Sequence, residues 1–366
     1  MIPIAKPFID TKEIKAVARV LESGMIAQGP KVRELEDKFI EFCGTKYAVA
    51  VNSGTAALHT ALHVAGIKKD DGIITTPFTF IATVNAILMR HAKPIFVDID
   101  EESFNIDPEK IGEKVTDKSK AIVTVDLYGN LCDYDKIEKI AKNNNLIIVE
   151  DACQAVNAES NGKKAGNFGD IAAFSFYGTK NITCGEGGMI TTNNKEYADN
   201  ARLFRQHGLL KMSSYEYSGL GYNYRMTDIS GAILLEQLKK IDLITKKRIE
   251  NAAYLSKNLS KIKGINLPDV KNDGSHVFHQ YTIRILENFK LNRDELNEHL
   301  NKNGIGTGIY YPKPLHLLPH LKKFGCKEGD FPIAEKASKE VISIPVHPNV
   351  TKEQLDYIIN TFKELE

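Results

Sequence analysis

Short apolar segments rich in β-branched residues alternate along this chain with segments of helical periodicity, and this alternation limits the folds open to it. The strand-like segments span residues 47–51, 72–76, 94–98, 121–126, 146–150 and 171–176. Helix-like segments between several of them span residues 56–65, 81–91 and 135–143. Such alternation is typical of βαβ units. It predicts an α/β fold whose mostly parallel central sheet is flanked by helices and binds ligands at the carboxyl ends of its strands.

The length and the C-terminal third indicate a second domain. A chain of 366 residues exceeds the size at which one hydrophobic core stops growing. Near residue 240 the pattern changes to one long charged helix over residues 234–259, followed by strands and helices of a smaller α+β unit. We therefore expect a large domain over residues 1–240 and a small C-terminal domain over residues 241–366.

The overall composition gives no reason to expect nucleic acid, a membrane or a metal ion as partner. The chain has 48 Lys and Arg residues against 47 Asp and Glu residues, a net charge of +1. No uncharged apolar run approaches the ~20 residues that span a bilayer. The cysteines are scattered and form no CxxC pair: Cys43, Cys132, Cys153, Cys184 and Cys326. This pattern favours free thiols and a cytoplasmic location.

An acid and a lysine follow two of the predicted strands. Asp151 comes directly after the strand at 146–150, and the strand at 171–176 leads through Gly178 and Thr179 to Lys180. Because parallel strands end at one edge of a sheet, the two side chains should share that edge. Pyridoxal 5'-phosphate (PLP) needs a lysine for a Schiff base and a carboxylate that keeps its pyridine nitrogen protonated. Taken singly, Asp151 could only cap a strand and Lys180 could be a surface residue.

A glycine turn after the first strand suits a phosphate group. Ser53, Gly54 and Thr55 stand where the strand at 47–51 gives way to a helix of small residues. Backbone N–H groups at such a helix start, with hydroxyls beside them, bind anions. Ser175, five residues before Lys180, could add a phosphate contact. The alternative is an ordinary N-cap by Ser53 or Thr55, which predicts nothing about Lys180.

These segments together resemble the DegT/DnrJ/EryC1/StrS aminotransferase family, and the resemblance covers almost the whole chain. The motifs that carry it stand in the family's order: IAKP (4–7), GMIAQGP (24–30), NSGTAAL (52–58), PFTFIAT (77–83), EDACQA (150–155), SFYGTKNITCGEGG (175–188), GYNYRMTDISGA (221–232) and YYPKPLH (310–316). One departure is DDGII (70–74), where the family usually has Gly-Asp-Glu before the strand. This turn is remote from the cofactor motifs.

The resemblance implies fold type I of the PLP-dependent transferases and assigns roles to individual residues. Lys180 would hold the cofactor, and Asp151 would pair with its ring nitrogen. The remaining cofactor contacts would be Gly54, Thr55 and Ser175 at the phosphate, Phe80 and Cys153 on the two faces of the ring, Gln154 near the phenolic oxygen, and Asn223 from the neighbouring subunit. The last contact implies a homodimer with shared active sites. Phe80 and Cys153 could instead be ordinary core residues.

The family's usual reaction supplies the expected substrates. L-glutamate would be the amino donor and a nucleotide-linked keto-deoxyhexose the acceptor. The segment NITCGEGG (181–188) resembles members that act at C4 of the sugar more than the C3 group. Side chains that could contact the diphosphate or the sugar are Arg205, His207, Arg225, Tyr310, Lys313 and His316, although each could equally be a surface residue.

Three other interpretations remain open at the level of the sequence. The acceptor could be a C3-keto-sugar or a keto-cyclitol. The chain could also be a non-catalytic, PLP-binding regulatory protein. The presence of Asp151, Gln154 and Lys180 together disfavours a purely regulatory role, and no basic DNA-reading segment is evident.

Overall fold

A computed structural model describes residues 1–211, 213–269 and 274–365 of the chain. The helices of the described part are α1 Thr11–Ser23, α2 Pro30–Cys43, α3 Gly54–Val64, α4 Ile81–Met89, α5 Pro108–Ile111, α6 Tyr134–Asn143, α7 Lys195–Arg205, α8 Asp228–Leu238, α9 Ile241–Leu259, α10 Arg293–Lys302, α11 Pro332–Glu340 and α12 Lys352–Lys363. The strands are β1 Tyr47–Val51, β2 Gly72–Thr75, β3 Lys93–Phe96, β4 Ser119–Val125, β5 Ile147–Asp151, β6 Glu159–Ser160, β7 Lys163–Lys164, β8 Ile171–Ser175, β9 Gly188–Thr192, β10 Leu209–Lys211, β11 Glu216–Tyr217, β12 Ile265–Asn266, β13 Tyr281–Ile285 and β14 Val341–Ile344.

Seven strands form the central sheet, in the order β1-β9-β8-β5-β4-β2-β3. Strand β9 runs antiparallel to both of its neighbours, and the other neighbouring pairs are parallel. The mostly parallel sheet is therefore confirmed, and the six predicted strands appear with shifts of at most two residues. Strand β9 was not among the predicted segments. Its insertion leaves β1 parallel to β8, so β1, β5 and β8 all end at one edge.

Both faces of the sheet are buried against helices. In β1, Ala48 and Ala50 join one hydrophobic cluster while Val49 and Val51 join another. Helix α2 contributes to the first cluster through Leu35 and Phe39, whereas α3 packs into the second. Successive side chains of a strand point to opposite faces, so a strand that is covered on both sides is apolar throughout. This explains why the strands read as continuous apolar runs.

The single helix predicted over residues 234–259 is wrong, because the structure has two helices, α8 and α9, with a break at residues 239–240. Lys240 lies at this break. Its ammonium group is buried and bonds to Asp10 Oδ2 at 2.9 Å and to Glu13 Oε1 at 2.5 Å, both from the start of α1. A charged residue that looks solvent-exposed in a helical pattern is thus directed inward by partners far away in the sequence.

A second core lies beside a three-stranded antiparallel sheet of order β12-β13-β14. Its buried residues come from α9, α10, α12 and these strands, together with Ile2 from the start of the chain. Helix α9 joins the two cores, because Ile241 and Ile244 pack in the first cluster and Leu255 and Leu259 in the second. The domain division at residue 240 stays a prediction.

All five cysteines are free thiols. Within the described ranges, no helix has the length and apolar character needed to cross a membrane, and His, Cys, Asp and Glu side chains form no group of three or more that could hold a metal ion.

Two buried carboxyl groups lie close together in the central sheet, one in β5 and one directly after the neighbouring strand β4. Glu150 of β5 accepts backbone hydrogen bonds from Gly166, Phe168 and Gly169, at 2.5, 2.9 and 3.0 Å. Asp126 follows β4, and its Oδ1 accepts from Cys132 N and Tyr134 Oη, whereas its buried Oδ2 has no partner within the described part of the chain. Burial, reinforced by the charge of Glu150, raises the pKa of Asp126 well above its ordinary value. Burial raises the pKa of Glu150 as well, to about 7, but the three backbone donors oppose that rise and favour its anion, so we assign the proton to Asp126.

We predict that Asp126→Asn makes the free energy of unfolding less dependent on pH. The native chain keeps a proton on Asp126 that the unfolded chain loses above about pH 4, so this group lowers stability as pH rises, by at most about 1.4 kcal/mol per unit. Asn has no proton to lose and keeps the Oδ1 acceptor. Urea unfolding between pH 5 and 8 should give a flatter profile for the variant. Equal slopes for the variant and the unmodified protein would show that Asp126 is ionised in the native state.

Candidate active site

A cavity of about 620 Å³ opens at the edge where β1, β5 and β8 end. Nine of the residues predicted from the sequence line it: Gly54, Thr55, Phe80, Asp151, Cys153, Gln154, Ser175, Lys180 and Tyr310. They come from five separate segments of the chain: the start of α3, the start of α4, the end of β5, the end of β8, and a loop of the C-terminal third. The parallel arrangement of β1, β5 and β8 brings the start of α3 and the ends of β5 and β8 together.

Asp151 ends β5 as a nearly buried carboxylate, 5% exposed. Its Oδ2 accepts a hydrogen bond from Thr83 Oγ1 at 2.8 Å, and its Oδ1 accepts from Cys153 N at 3.2 Å. Burial raises its pKa above the ordinary value, while these donors and the charge of Lys180 oppose the rise. A carboxylate held in this way is poised to pair with a cation inside the cavity.

Lys180 lies in the turn after β8 and is partly exposed to the cavity. Its backbone N–H donates to Tyr177 O at 2.9 Å, which fixes the turn, while its amine has no hydrogen-bond partner within the described ranges. Burial lowers the pKa of Lys180, and the nearby Cys153 and Asp151 oppose that shift. A larger fraction of the amine is therefore neutral and nucleophilic than for a lysine in water.

The start of helix α3 meets the end of β8 at one wall of the cavity. Ser53 caps the helix by accepting from Ala56 N at 3.1 Å. The N–H groups of Gly54 and Thr55 find no acceptor in the described part of the chain, so they remain available to an anion. A Cβ atom at Gly54 would lie 2.7 Å from Ser175 Cβ and 3.1 Å from Cys153 Sγ, which leaves space only for glycine.

An aromatic ring and an amide occupy other parts of the wall. Phe80 is 55% exposed although its ring borders the cavity, and it lies 6.2 Å from the ring of Tyr311 at an angle of 34°. Gln154 Oε1 accepts from Tyr128 N at 2.9 Å, so its Nε2 is the donor end. Nε2 donates to Tyr311 Oη at 3.4 Å. Because an amide nitrogen carries two hydrogens, Gln154 can also donate a hydrogen bond to a ligand oxygen.

Several cavity residues were not singled out from the sequence, among them Thr83, His279, Gln280 and Tyr311. Thr83 and Tyr311 fall inside the quoted motifs PFTFIAT and YYPKPLH, and Tyr311 directly follows the chosen Tyr310. Thr83 lies in the first turn of α4, three positions after Phe80, and its hydroxyl also lies 3.1 Å from that of Thr79. His279 and Gln280 come from the strand region of the C-terminal third, and no local pattern marks them.

Six predicted residues lie outside the cavity. Asn223, His207, Arg225 and Lys313 do not line it, and all of these except the half-buried Arg225 are exposed. Arg205 and His316 do not line the cavity of their own chain either, and both side chains are buried against acidic partners. Arg205 Nη1 bonds to Glu36 Oε1 at 2.6 Å, and His316 Nε2 lies 3.0 Å from Glu335 Oε1. Within this chain, these two side chains therefore make structural contacts, and their substrate contacts stay a prediction.

We predict that Gly54→Ala destabilises the protein by about 1–3 kcal/mol, because the new methyl group overpacks against Ser175. Removing the Ser175 side chain should relieve the clash, so in a double-mutant cycle Gly54→Ala combined with Ser175→Gly should cost less than the sum of the single changes. Chemical unfolding measures all four proteins. The matched control is Gly112→Ala, since nothing lies within 4 Å of a Cβ there. Additive costs would show that helix α3 and strand β8 are not in tight contact.

The architecture matches solved structures over nearly the whole chain. DesV from S. venezuelae, solved in complex with a ketimine intermediate, has a TM-score of 0.92 and 34% identity, covering 99% of this chain and 98% of its own. The PLP form of the putative sugar aminotransferase Spr1654 from Streptococcus pneumoniae gives 0.92 and 29%, covering 100% and 98%. The predicted fold class, fold type I of the PLP-dependent aminotransferases, is confirmed.

The family model of the DegT/DnrJ/EryC1/StrS aminotransferases matches residues 7–363. The chain belongs to this PLP-dependent family of sugar aminotransferases.

Relatives that are named for different activities match this chain over almost its full length. A GDP-perosamine synthase from Caulobacter vibrioides is 37% identical, covering 98% of this chain and 96% of its own. A dTDP-3-amino-3,6-dideoxy-alpha-D-galactopyranose transaminase from Aneurinibacillus thermoaerophilus is also 37% identical, covering 96% and 97%. A pleiotropic regulatory protein from Geobacillus stearothermophilus is 40% identical, covering 96% and 93%.

Proposed function

We propose that this chain is a PLP-dependent aminotransferase that moves an amino group from L-glutamate to a nucleotide-linked keto-deoxysugar, with Lys180 as the residue that holds the cofactor. The observation that carries the proposal is that one cavity is lined by the free amine of Lys180, the buried carboxylate of Asp151 and the open helix start at Gly54. Each of these groups matches one chemical feature of PLP.

The cavity residues fit the cofactor from end to end. The unpaired N–H groups of Gly54 and Thr55, with Ser175 beside them, suit its phosphate. Asp151 suits the protonated ring nitrogen, and the second N–H of Gln154 Nε2 suits the phenolic oxygen. Phe80 offers an exposed ring for stacking, with Cys153 for the opposite face.

Within that site the side chains of this chain would hold the cofactor in place and transfer the proton. When bound, PLP supplies an electron sink that stabilises negative charge on the carbon that loses a proton. Asp151 maintains the positive charge that makes the sink effective, and Thr83 fixes one oxygen of that carboxylate. The pKa of the Lys180 amine is lowered, so this amine can take the proton from the substrate carbon. It would then hold that proton for transfer to the cofactor.

The relatives support a nucleotide sugar as acceptor but do not choose the position of amination. Relatives named for GDP-perosamine and for a dTDP-3-amino sugar are equally similar to this chain, at 37% identity. The segment 181–188 favours amination at C4 of a 4-keto-6-deoxyhexose, with a C3-keto-sugar or a keto-cyclitol as the alternatives. This chain is also 40% identical to a pleiotropic regulatory protein, so a non-catalytic regulatory role remains the alternative. The free amine of Lys180 disfavours that role.

We expect the purified protein, loaded with PLP, to convert a nucleotide-linked 4-keto-6-deoxyhexose and L-glutamate into the amino sugar and 2-oxoglutarate. Mass spectrometry of a panel of GDP-, dTDP- and UDP-linked 3-keto and 4-keto sugars identifies the acceptor. Lys180→Ala should abolish both turnover and the borohydride-stable attachment of the cofactor, whereas the exposed Lys38→Ala should retain both. Amination confined to 3-keto sugars would reject the C4 assignment. Turnover that survives Lys180→Ala would reject the role of the lysine.

The segment around Asn223 is built to present that residue outward. Tyr222 and Tyr224 stack on each other at 5.0 Å, and Tyr224 Oη lies 3.0 Å from Nδ1 of the buried His59 in α3. Asn52 N donates to Tyr224 O at 2.9 Å and anchors the same segment. Asn223, between the two tyrosines, is exposed. An exposed asparagine between two anchored tyrosines supports a homodimer in which Asn223 reaches the cofactor phosphate in the neighbouring subunit's site.

We predict that inactive Lys180→Ala and Asn223→Ala proteins regain activity when mixed and allowed to exchange subunits. In a two-fold dimer of one copy of each, one site carries both lesions and the other carries neither. Equimolar mixing with random exchange should restore roughly a quarter of the unmodified sites. The measurement requires that Asn223→Ala alone be severely impaired. Exchange proven by mass tags, but without recovery, would place Asn223 in its own subunit's site or in no site.

A further inference from the structure

His279 borders the cavity but comes from outside the segments discussed so far, just before strand β13. Its segment is held firmly. The buried Arg248 of α9 donates from Nη1 to the carbonyl oxygens of Phe278 and His279, at 3.0 and 3.3 Å. Val277 N donates to Gly129 O at 2.8 Å on the other side. The imidazole therefore has a fixed position relative to Lys180.

The neighbours of His279 determine which of its ring nitrogens carries hydrogen. Asn181, next to Lys180 in the chain, donates from Nδ2 to Val277 O at 3.4 Å, so its Oδ1 is the atom that lies 3.4 Å from His279 Nδ1. An amide oxygen only accepts, and Nδ1 must therefore be the N–H. In a neutral imidazole Nε2 is then an acceptor.

The surroundings keep the ring neutral. Burial lowers the pKa of His279 well below its ordinary value, and the positive charges of Lys180 and Arg248 act in the same direction. Nε2 has no hydrogen-bond partner in the described ranges. The two carboxyl groups of the cavity are less suited to this role, because Asp151 already accepts from Thr83 and Cys153, and Glu186 is exposed. His279 thus offers an uncharged, fixed acceptor to a ligand.

We propose that His279 is a specificity-determining residue whose Nε2 accepts a hydrogen bond from a hydroxyl group of the keto-sugar. This inference rests on the proposed aminotransferase function. A sugar hydroxyl is a neutral donor, and a neutral acceptor binds it without the desolvation cost of a buried charge. Lys180 carries out the proton transfer of the proposed reaction, so His279 is not required for that step. Its contribution should therefore appear in the affinity for the keto-sugar.

Two isosteric variants separate the two ring nitrogens. In His279→Asn the amide can replace Nδ1 and keep the bond to Asn181, but nothing stands at Nε2. In His279→Gln the longer side chain can place an amide oxygen near the Nε2 position. We expect Asn to raise the KM for the keto-sugar about tenfold while the KM for glutamate changes less than about twofold, and Gln to recover most of the loss. The exposed His320→Asn is the matched control.

A substrate change and a binding measurement complete the test. A keto-sugar analogue that lacks the contacted hydroxyl should show equal KM values with the unmodified protein and with His279→Asn. Direct binding of the amino-sugar product by calorimetry should weaken in parallel, which also covers a variant with low turnover. Equal effects of Asn and Gln, or a shift confined to glutamate or to the pH titration of cofactor absorbance, would overturn the proposal. Absence of transamination in the unmodified protein would instead reject the proposed function.

Discussion

The start of helix α3 and the end of strand β8 approach each other so closely at Gly54 and Ser175 that no side chain fits between them. This contact sets the distance between the helix N–H groups on one side and the turn that carries Lys180 on the other. An anion at the helix start and an amine at the strand end can then engage one molecule. The rest of the cavity is arranged around that spacing: Asp151 ends the adjacent strand, and Phe80 begins the next helix along the chain.

The charged groups inside the cavity are few, and the two central ones, Asp151 and Lys180, have opposite signs. Burial weakens the ionised forms of both Asp151 and Lys180, and each opposes the shift of the other. The result is a carboxylate and an amine whose charge states respond strongly to a ligand's own charge. A nucleotide diphosphate would need further cations, and among the described residues that line the cavity Lys180 is the one lysine or arginine. Arg225, two positions after Asn223 and outside its own chain's cavity, could supply a cation from the neighbouring subunit of the proposed dimer.

Much of the fold could be predicted because each element carries a local pattern. The parallel strands have continuous apolar runs, and their carboxyl ends locate Asp151 and Lys180 without tertiary information. The burial of Lys240 at the break between α8 and α9 could not be predicted, since its partners Asp10 and Glu13 stand more than 220 positions away in the sequence. Arg205 and His316 show the same limit. Arg205 pairs with Glu36, and His316 pairs with Glu335, inside the chain. From the sequence alone, a cation or an imidazole could equally contact a ligand, and only the fold distinguishes the two roles. His279 enters the cavity from the C-terminal third, so no spacing relative to Lys180 marks it.

Helix α3 links two features that look independent in the sequence. Its first residues offer N–H groups to the cavity of their own subunit, while His59, about one and a half turns further on, supports Tyr224 beside the outward-facing Asn223. In the proposed dimer, this eleven-residue helix would therefore belong to both catalytic centres. A substitution that tilted it would disturb its own phosphate pocket and its neighbour's together, so changes acquired at either end would have to be compatible with both.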